Sequence, residues 1–139
     1  MKKVLVFGTF DGLHEGHLDL FRQGLSISKG RQAYLIVVVA RDSTIVKTKK
    51  RLPKFNENER LKTVQNCDLI SEAHLGNEGD NPYKIIEEIK PDIICLGYDQ
   101  THFTDKLQTK LQEMGMSNIE IKRLTAYKPE IYKSSLLNK

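Results

Sequence analysis

A parallel α/β sheet covered by helices on both faces is the fold class this sequence predicts, and three observations predict it. Apolar runs of strand length alternate with segments of helical period along most of the chain. The run YLIVVVA at 34–40 is continuously apolar and rich in β-branched residues, the pattern of a strand covered on both faces. Several helical segments also carry their own start and stop residues, so the connections between strands read as the helical crossovers that parallel strands require.

Taken in order, VLVF at 4–7 is the first strand, and HLDLFRQGLSIS is a helix with Leu18, Phe21 and Leu25 on one face. YLIVVVA follows as a central strand. Asn56 precedes ENERLKTVQN with Glu59 three residues on, a capping-box arrangement, and Leu61 and Val64 supply the apolar face. The stretch LISEAHL at 69–75 is a weaker strand. Asn81 and Pro82 form a cap and first helical position before Ile85, Ile86 and Ile89, and Pro91 ends that helix. DIICLG at 92–97 is a short buried strand, LQTKLQEMG at 107–115 a helix closed by glycine, and IEIKRL at 119–124 an alternating strand. The order is β-α-β-α-β-α-β-α-β, with no internal repeat, low-complexity segment or linker, so 1–139 reads as one domain.

At 139 residues the chain can bury about two thirds of its unfolded surface in one core. No stretch approaches the ~20 apolar residues of a membrane span, so no membrane partner is expected. Only four apolar residues separate the two N-terminal lysines from Gly8, too few for the apolar region of a signal peptide, and a cytoplasmic location is the expectation. Cys67 and Cys95 lack metal-ligand spacing, and Cys95 lies within IICL, which favours a buried thiol over a disulfide or ligand. The net charge of +4 comes largely from local clusters such as KTKKR at 47–51. That argues against nucleic acid and leaves a solvated loop or a small anionic ligand such as a nucleotide.

Two of the four histidines stand together in GTFDGLHEGHLDLF at 8–21. In a parallel α/β sheet, ligands bind beyond the carboxyl ends of the strands, where helix N-termini direct their N–H groups outward. Gly8 and Gly12 permit close backbone approach or positive φ, Gly16 removes a side chain at the helix start, and His14 and His17 can donate hydrogen bonds to phosphate there. A zinc pair and simple helix capping compete with this reading of the histidines. Asp11 either orients the loop, faces a metal or is a turn residue.

GTFDGLHEGHLDLF resembles the signature of the cytidylyltransferase-like nucleotidyltransferases, in which a G-x-F-D loop leads into a His-x-Gly-His motif. VVVARDS, EGD, IKPDIICLGYDQ and RLTAYKPEIYKSS extend the likeness, in order, to the archaeal FAD synthase branch. The resemblance implies a Rossmann-like, doubly wound three-layer α/β/α domain. It also implies nucleotidyl transfer from a triphosphate to a phosphorylated acceptor with release of pyrophosphate. Carried over, it makes His14 and His17 catalytic, and it makes Thr9, Phe10, Glu15, Gly16, Asp99 and Tyr127 nucleotide-binding together with the histidines. The substrates would be ATP and FMN, helped by a divalent cation, Mg²⁺, without a dedicated cage. Relatives of this fold often pair, so a homodimer is an expectation.

Many relatives close with R-T-x-G-I-S-T-[ST], whereas Arg123 is followed here by LTAYKPEIYKSS. Ser134 and Ser135 are therefore either phosphate contacts or caps. Lys47, Lys49 and Lys50 are candidate phosphate contacts from a loop. Transfer needs no nucleophilic serine or cysteine, because positioning and charge stabilisation supply most of the catalysis. Two other functions fit the same residues: a glycerol-3-phosphate cytidylyltransferase, which shares the histidine loop, and a regulatory nucleotide-binding domain without chemistry.

Overall fold

The computed structural model describes residues 2–27, 33–49, 52–76, 83–96 and 107–123. Five strands, β1 Lys2–Gly8, β2 Ala33–Val39, β3 Glu72–Leu75, β4 Ile93–Leu96 and β5 Glu120–Arg123, form one sheet in the order β3-β2-β1-β4-β5. All four pairings are parallel, with Val6 opposite both Val37 and Cys95. Between the strands lie α1 Glu15–Ser26, α2 Asp42–Lys49, α3 Glu57–Gln65, α4 Tyr83–Ile89 and α5 Leu107–Glu113.

Strand alternation divides the core into two halves. Val4, Val6, Leu35, Val37, Val39 and Cys95 face one side, where Phe21 of α1 and Val64 of α3 cover them. Leu5, Phe7, Ile36, Val38, Ile94 and Leu96 face the other, under Ile85 and Ile86 of α4 and Leu107 and Leu111 of α5. This is the three-layer, doubly wound arrangement. Its topology switches between β1 and β4, so the crevice at their carboxyl ends is where such sheets take a ligand. No helix among the described residues is long and apolar enough to cross a membrane.

The apolar periodicity locates its elements closely. Leu18 and Leu25 pack beside buried Phe21, and Leu61 packs beside Val64. The capping box at Asn56 and Glu59 forms, with Asn56 Oδ1 accepting the Glu59 N–H at 2.8 Å and Glu59 Oε1 accepting the Asn56 N–H at 3.3 Å. The weak stretch at 69–75 does contain a strand, at the sheet edge, and YLIVVVA is interior although β1 occupies the centre. Asn81 and Pro82 lie outside the described residues. Cys95 is fully buried, which pushes its thiol up to about 12, and Cys67 is half-buried; neither forms a disulfide.

One expectation is corrected. The basic segment is not a loop throughout, because 42–49 forms α2 and carries Lys47 and Lys49 on its last turn, while Lys50 lies outside the described residues. The segment DSTIVKTK places Ile45 and Val46 side by side rather than at helical spacing, so periodicity gave no helix signal. Tertiary context makes the helix: Ile45 is buried, and the Asp42 N–H is held by the Glu57 carboxylate at 3.0 Å.

Candidate active site

The loop between β1 and α1 is shaped by Phe10. Its φ of +53° is rare for a residue with a side chain, and its ring, 3% exposed, folds back over Gly8. A Cβ at Gly8 would lie 2.5 Å from the Phe10 Cζ, so only glycine fits beneath the ring. Gly12, at φ +96°, then turns the chain toward α1.

Asp11 does not stand free for a metal. Its two carboxylate oxygens accept the backbone N–H groups of Lys54 at 2.7 Å and Phe55 at 2.8 Å, which ties the loop to the entry of α3. Of the three readings of Asp11, the geometry selects the one that orients the loop.

His14 and His17 form a reciprocal capping box at the start of α1. His14 Nδ1 accepts the Gly16 N–H at 3.0 Å, and His17 Nδ1 accepts the His14 N–H at 3.2 Å. A backbone N–H can only donate, so neither Nδ1 carries a proton. Each neutral ring therefore holds its proton on Nε2 and offers it as a donor. The rings stack at 3.9 Å between centroids, and Phe10 meets His17 edge-on at 5.4 Å. Burial, reinforced by the neighbouring His14, lowers His17 to about 4, and burial also lowers His14. Both are uncharged at neutral pH.

Capping uses the Nδ1 atoms and leaves the proton of each ring on Nε2, so the capping and donor readings of these histidines are compatible. It also alters the expected donors. The N–H groups of Gly16 and His17 are spent on His14, on its side chain and its carbonyl respectively. The expectation that these two helix N–H groups face a ligand is therefore not met. Glu15, on the first turn of α1, forms a surface ion pair with Arg22 at 4.0 Å.

The residue that sequence reasoning missed is Arg60, 1% exposed. Its guanidinium donates to the carbonyls of Phe55 at 2.9 Å, Thr9 at 2.9 Å and Ala40 at 2.6 Å, and to Asp42 Oδ1 at 2.7 Å. One side chain therefore joins the ends of β1 and β2, the start of α2 and the entry of α3. Beside it, Arg41 donates to the Gly76 carbonyl at 2.6 Å and to Glu57 at 3.3 Å. The available signal was position: Arg60 lies four residues before Val64, on the apolar stripe of α3, where a charged residue needs partners.

The structure brings Thr9, Phe10, Glu15, Gly16, His14 and His17 into one loop and helix start. Lys47 and Lys49 lie on α2, whose first turn Arg60 fixes to the same loop. Asp99, Tyr127, Ser134 and Ser135 lie outside the described residues. Among the described residues no group of three or more His, Cys, Asp or Glu side chains could hold a metal.

The cytidylyltransferase-like family model matches residues 5–139, and the chain belongs to that family. Within it, the similarity extends to FAD synthases. That of Methanobrevibacter ruminantium is 46% identical over 114 residues, 82% of this chain and 74% of that protein. That of Thermoplasma volcanium is 39% identical over 139 residues, 100% of this chain and 93% of that protein. A crystal structure described as a lipopolysaccharide core biosynthesis protein from Thermoplasma volcanium GSS1 superposes with a TM-score of 0.81 at 38% identity, covering 91% of this chain and 98% of that one.

Proposed function

We propose that the chain is an FMN adenylyltransferase, transferring AMP from ATP to FMN to give FAD and pyrophosphate. The observation that carries the chemistry is the capping box, which makes His14 and His17 neutral Nε2–H donors at the carboxyl end of β1. The FAD synthases among its relatives, at 39–46% identity, support FMN as acceptor.

In this reading a phosphate oxygen of FMN attacks the α-phosphorus of ATP. The new P–O bond forms as the bond from the α-phosphorus to the oxygen bridging to the β-phosphate breaks, and pyrophosphate leaves with that electron pair. The two Nε2–H groups donate to triphosphate oxygens as charge develops on them. Because each Nδ1 already accepts a backbone N–H, the rings act here as Nε2–H donors rather than as general bases. Thr9, Phe10 and Gly16 shape the loop around the nucleotide, with Glu15 beside them. Lys47, Lys49 and Lys50 are the proposed partners of the β- and γ-phosphates, and Asp99, Tyr127, Ser134 and Ser135 the proposed contacts from the remaining segments.

A divalent cation, Mg²⁺, would supply charge neutralisation on the triphosphate. Asp11 is committed to two backbone N–H groups and both Nδ1 atoms are committed to the cap. The described residues do not fit a protein-built metal cage, so the ion would be held by the phosphates themselves, and no step is assigned to it. An enzyme of ATP and FMN would work in the cytoplasm.

Purified protein is incubated with Mg²⁺, FMN and ATP, beside a second mixture of CTP and glycerol 3-phosphate, and the products are resolved by mass. FAD and pyrophosphate from the first mixture alone are expected. A CDP-alcohol from the second would transfer the assignment to a cytidylyltransferase, and saturable nucleotide binding without product would make the chain a regulatory domain.

A further inference from the structure

The exposed large hydrophobic residues among the described ones are Val46 at 42%, Leu52 at 75% and Phe55 at 38%. All three fall between β2 and α3, in the segment that Arg60 and Asp11 bind to the phosphate loop. Phe55 is the aromatic one. It precedes the cap Asn56, a position whose apolar side chain ordinarily packs on the fourth residue of the helix. Here that fourth residue is Arg60, whose guanidinium is spent on the carbonyls of Phe55, Thr9 and Ala40 and on Asp42. Phe55 accordingly belongs to neither core cluster.

The backbone beneath this ring is nevertheless fixed at three points. Asp11 takes the N–H groups of Lys54 and Phe55, and Arg60 takes the Phe55 carbonyl. The ring edge lies 3.8 Å from where a Cβ of Gly12 would stand, so it abuts the loop that ends at His14. The Lys54 ammonium sits 5.6 Å from the ring centroid. A partly exposed aromatic ring on a rigid backbone, with a cation over it, suits a planar ring that carries a phosphate.

We infer that Phe55 is the surface on which the acceptor's isoalloxazine ring stacks, with Lys54 drawing the acceptor phosphate toward the histidines. The inference rests on the FMN adenylyltransferase reading and adds the acceptor subsite to it. Topology assigns the ring to the acceptor rather than to adenine. The nucleotide crevice opens between β1 and β4, whereas the Phe55 segment is fastened through Arg60 to Ala40, at the β2 end, on the opposite side of β1. A small acceptor such as glycerol phosphate has no ring to use this surface.

The test compares wild type with Phe55→Ala and Phe55→Trp by steady-state FAD formation, with flavin fluorescence followed on binding. Phe55 belongs to neither core cluster, so Phe55→Ala should keep the fold, and its melting temperature is measured alongside. The expected result is a KM for FMN raised roughly 5- to 150-fold, the loss that follows removal of one base-stacking aromatic. The KM for ATP should be unchanged, quenching of bound flavin fluorescence should be lost, and Phe55→Trp should restore both. An unchanged KM for FMN, or a raised KM for ATP alone, would overturn the inference while leaving the proposed reaction standing. A wild type that makes no FAD would instead overturn the reaction, and the acceptor subsite with it.

Discussion

His17 sits where the fold keeps it uncharged, and that has a consequence for stability. Its folded pKa is lowered to about 4, mainly by burial, against the ordinary value of 6.5. The unfolded chain therefore binds more protons between these two values, and stability falls as pH drops through that window. Protonation would also cost the Nδ1 acceptor that completes the cap. Relative to His17→Ala, wild type should lose up to about 3 kcal/mol of unfolding free energy between pH 7 and pH 4. Urea denaturation of both proteins across that range measures this; parallel curves would place His17 in an environment that does not disfavour its charge. At the same scale, Gly8 is fixed by sterics. Gly8→Ala drives a methyl into the Phe10 ring, and overpacking of that kind costs about 1–3 kcal/mol. Thermal unfolding should register the loss, and a neutral result would show that the ring can move aside.

At the scale of elements, Arg60 ties together four segments: the ends of β1 and β2, the start of α2 and the entry of α3. Arg60→Met would leave the carbonyls of Thr9, Ala40 and Phe55 without their charged donor. Breaking a buried charged network by removing one partner costs about 3–5 kcal/mol. The variant should therefore unfold at markedly lower denaturant, and a loss under about 1 kcal/mol would mean that water replaces the guanidinium. The strands and the helices α1, α3, α4 and α5 were legible in the sequence because each buries an apolar face at a readable period, as Phe21 and Val64 do. Helix α2 was not, because Ile45 and Val46 stand side by side and make no stripe, and its position depends on Arg60 and Glu57, distant in sequence. The histidine pair was legible as a local motif. That both rings would be held as Nε2–H donors was not, since that depends on backbone N–H groups whose directions only the folded loop sets.

At the scale of the molecule, the doubly wound sheet brings the β1 and β2 ends, α1, α2 and α3 around one loop, and the capping box that starts α1 also presents the two imidazole donors. His17 is proposed to act as a donor to the triphosphate and not only as a helix cap, and two substitutions separate those roles. His17→Ala removes both the Nδ1 acceptor and the Nε2–H. His17→Glu keeps an acceptor for the His14 N–H, as in an ordinary capping box, but loses the donor and adds a negative charge. The most direct measurement is the rate of FAD formation from FMN and ATP by these two variants and wild type, with melting temperatures alongside. Turnover should fall roughly 10²- to 10³-fold in His17→Ala, and His17→Glu should melt higher than His17→Ala yet be no more active. Recovery of activity toward wild type in His17→Glu would reduce His17 to a helix cap with no part in the transfer.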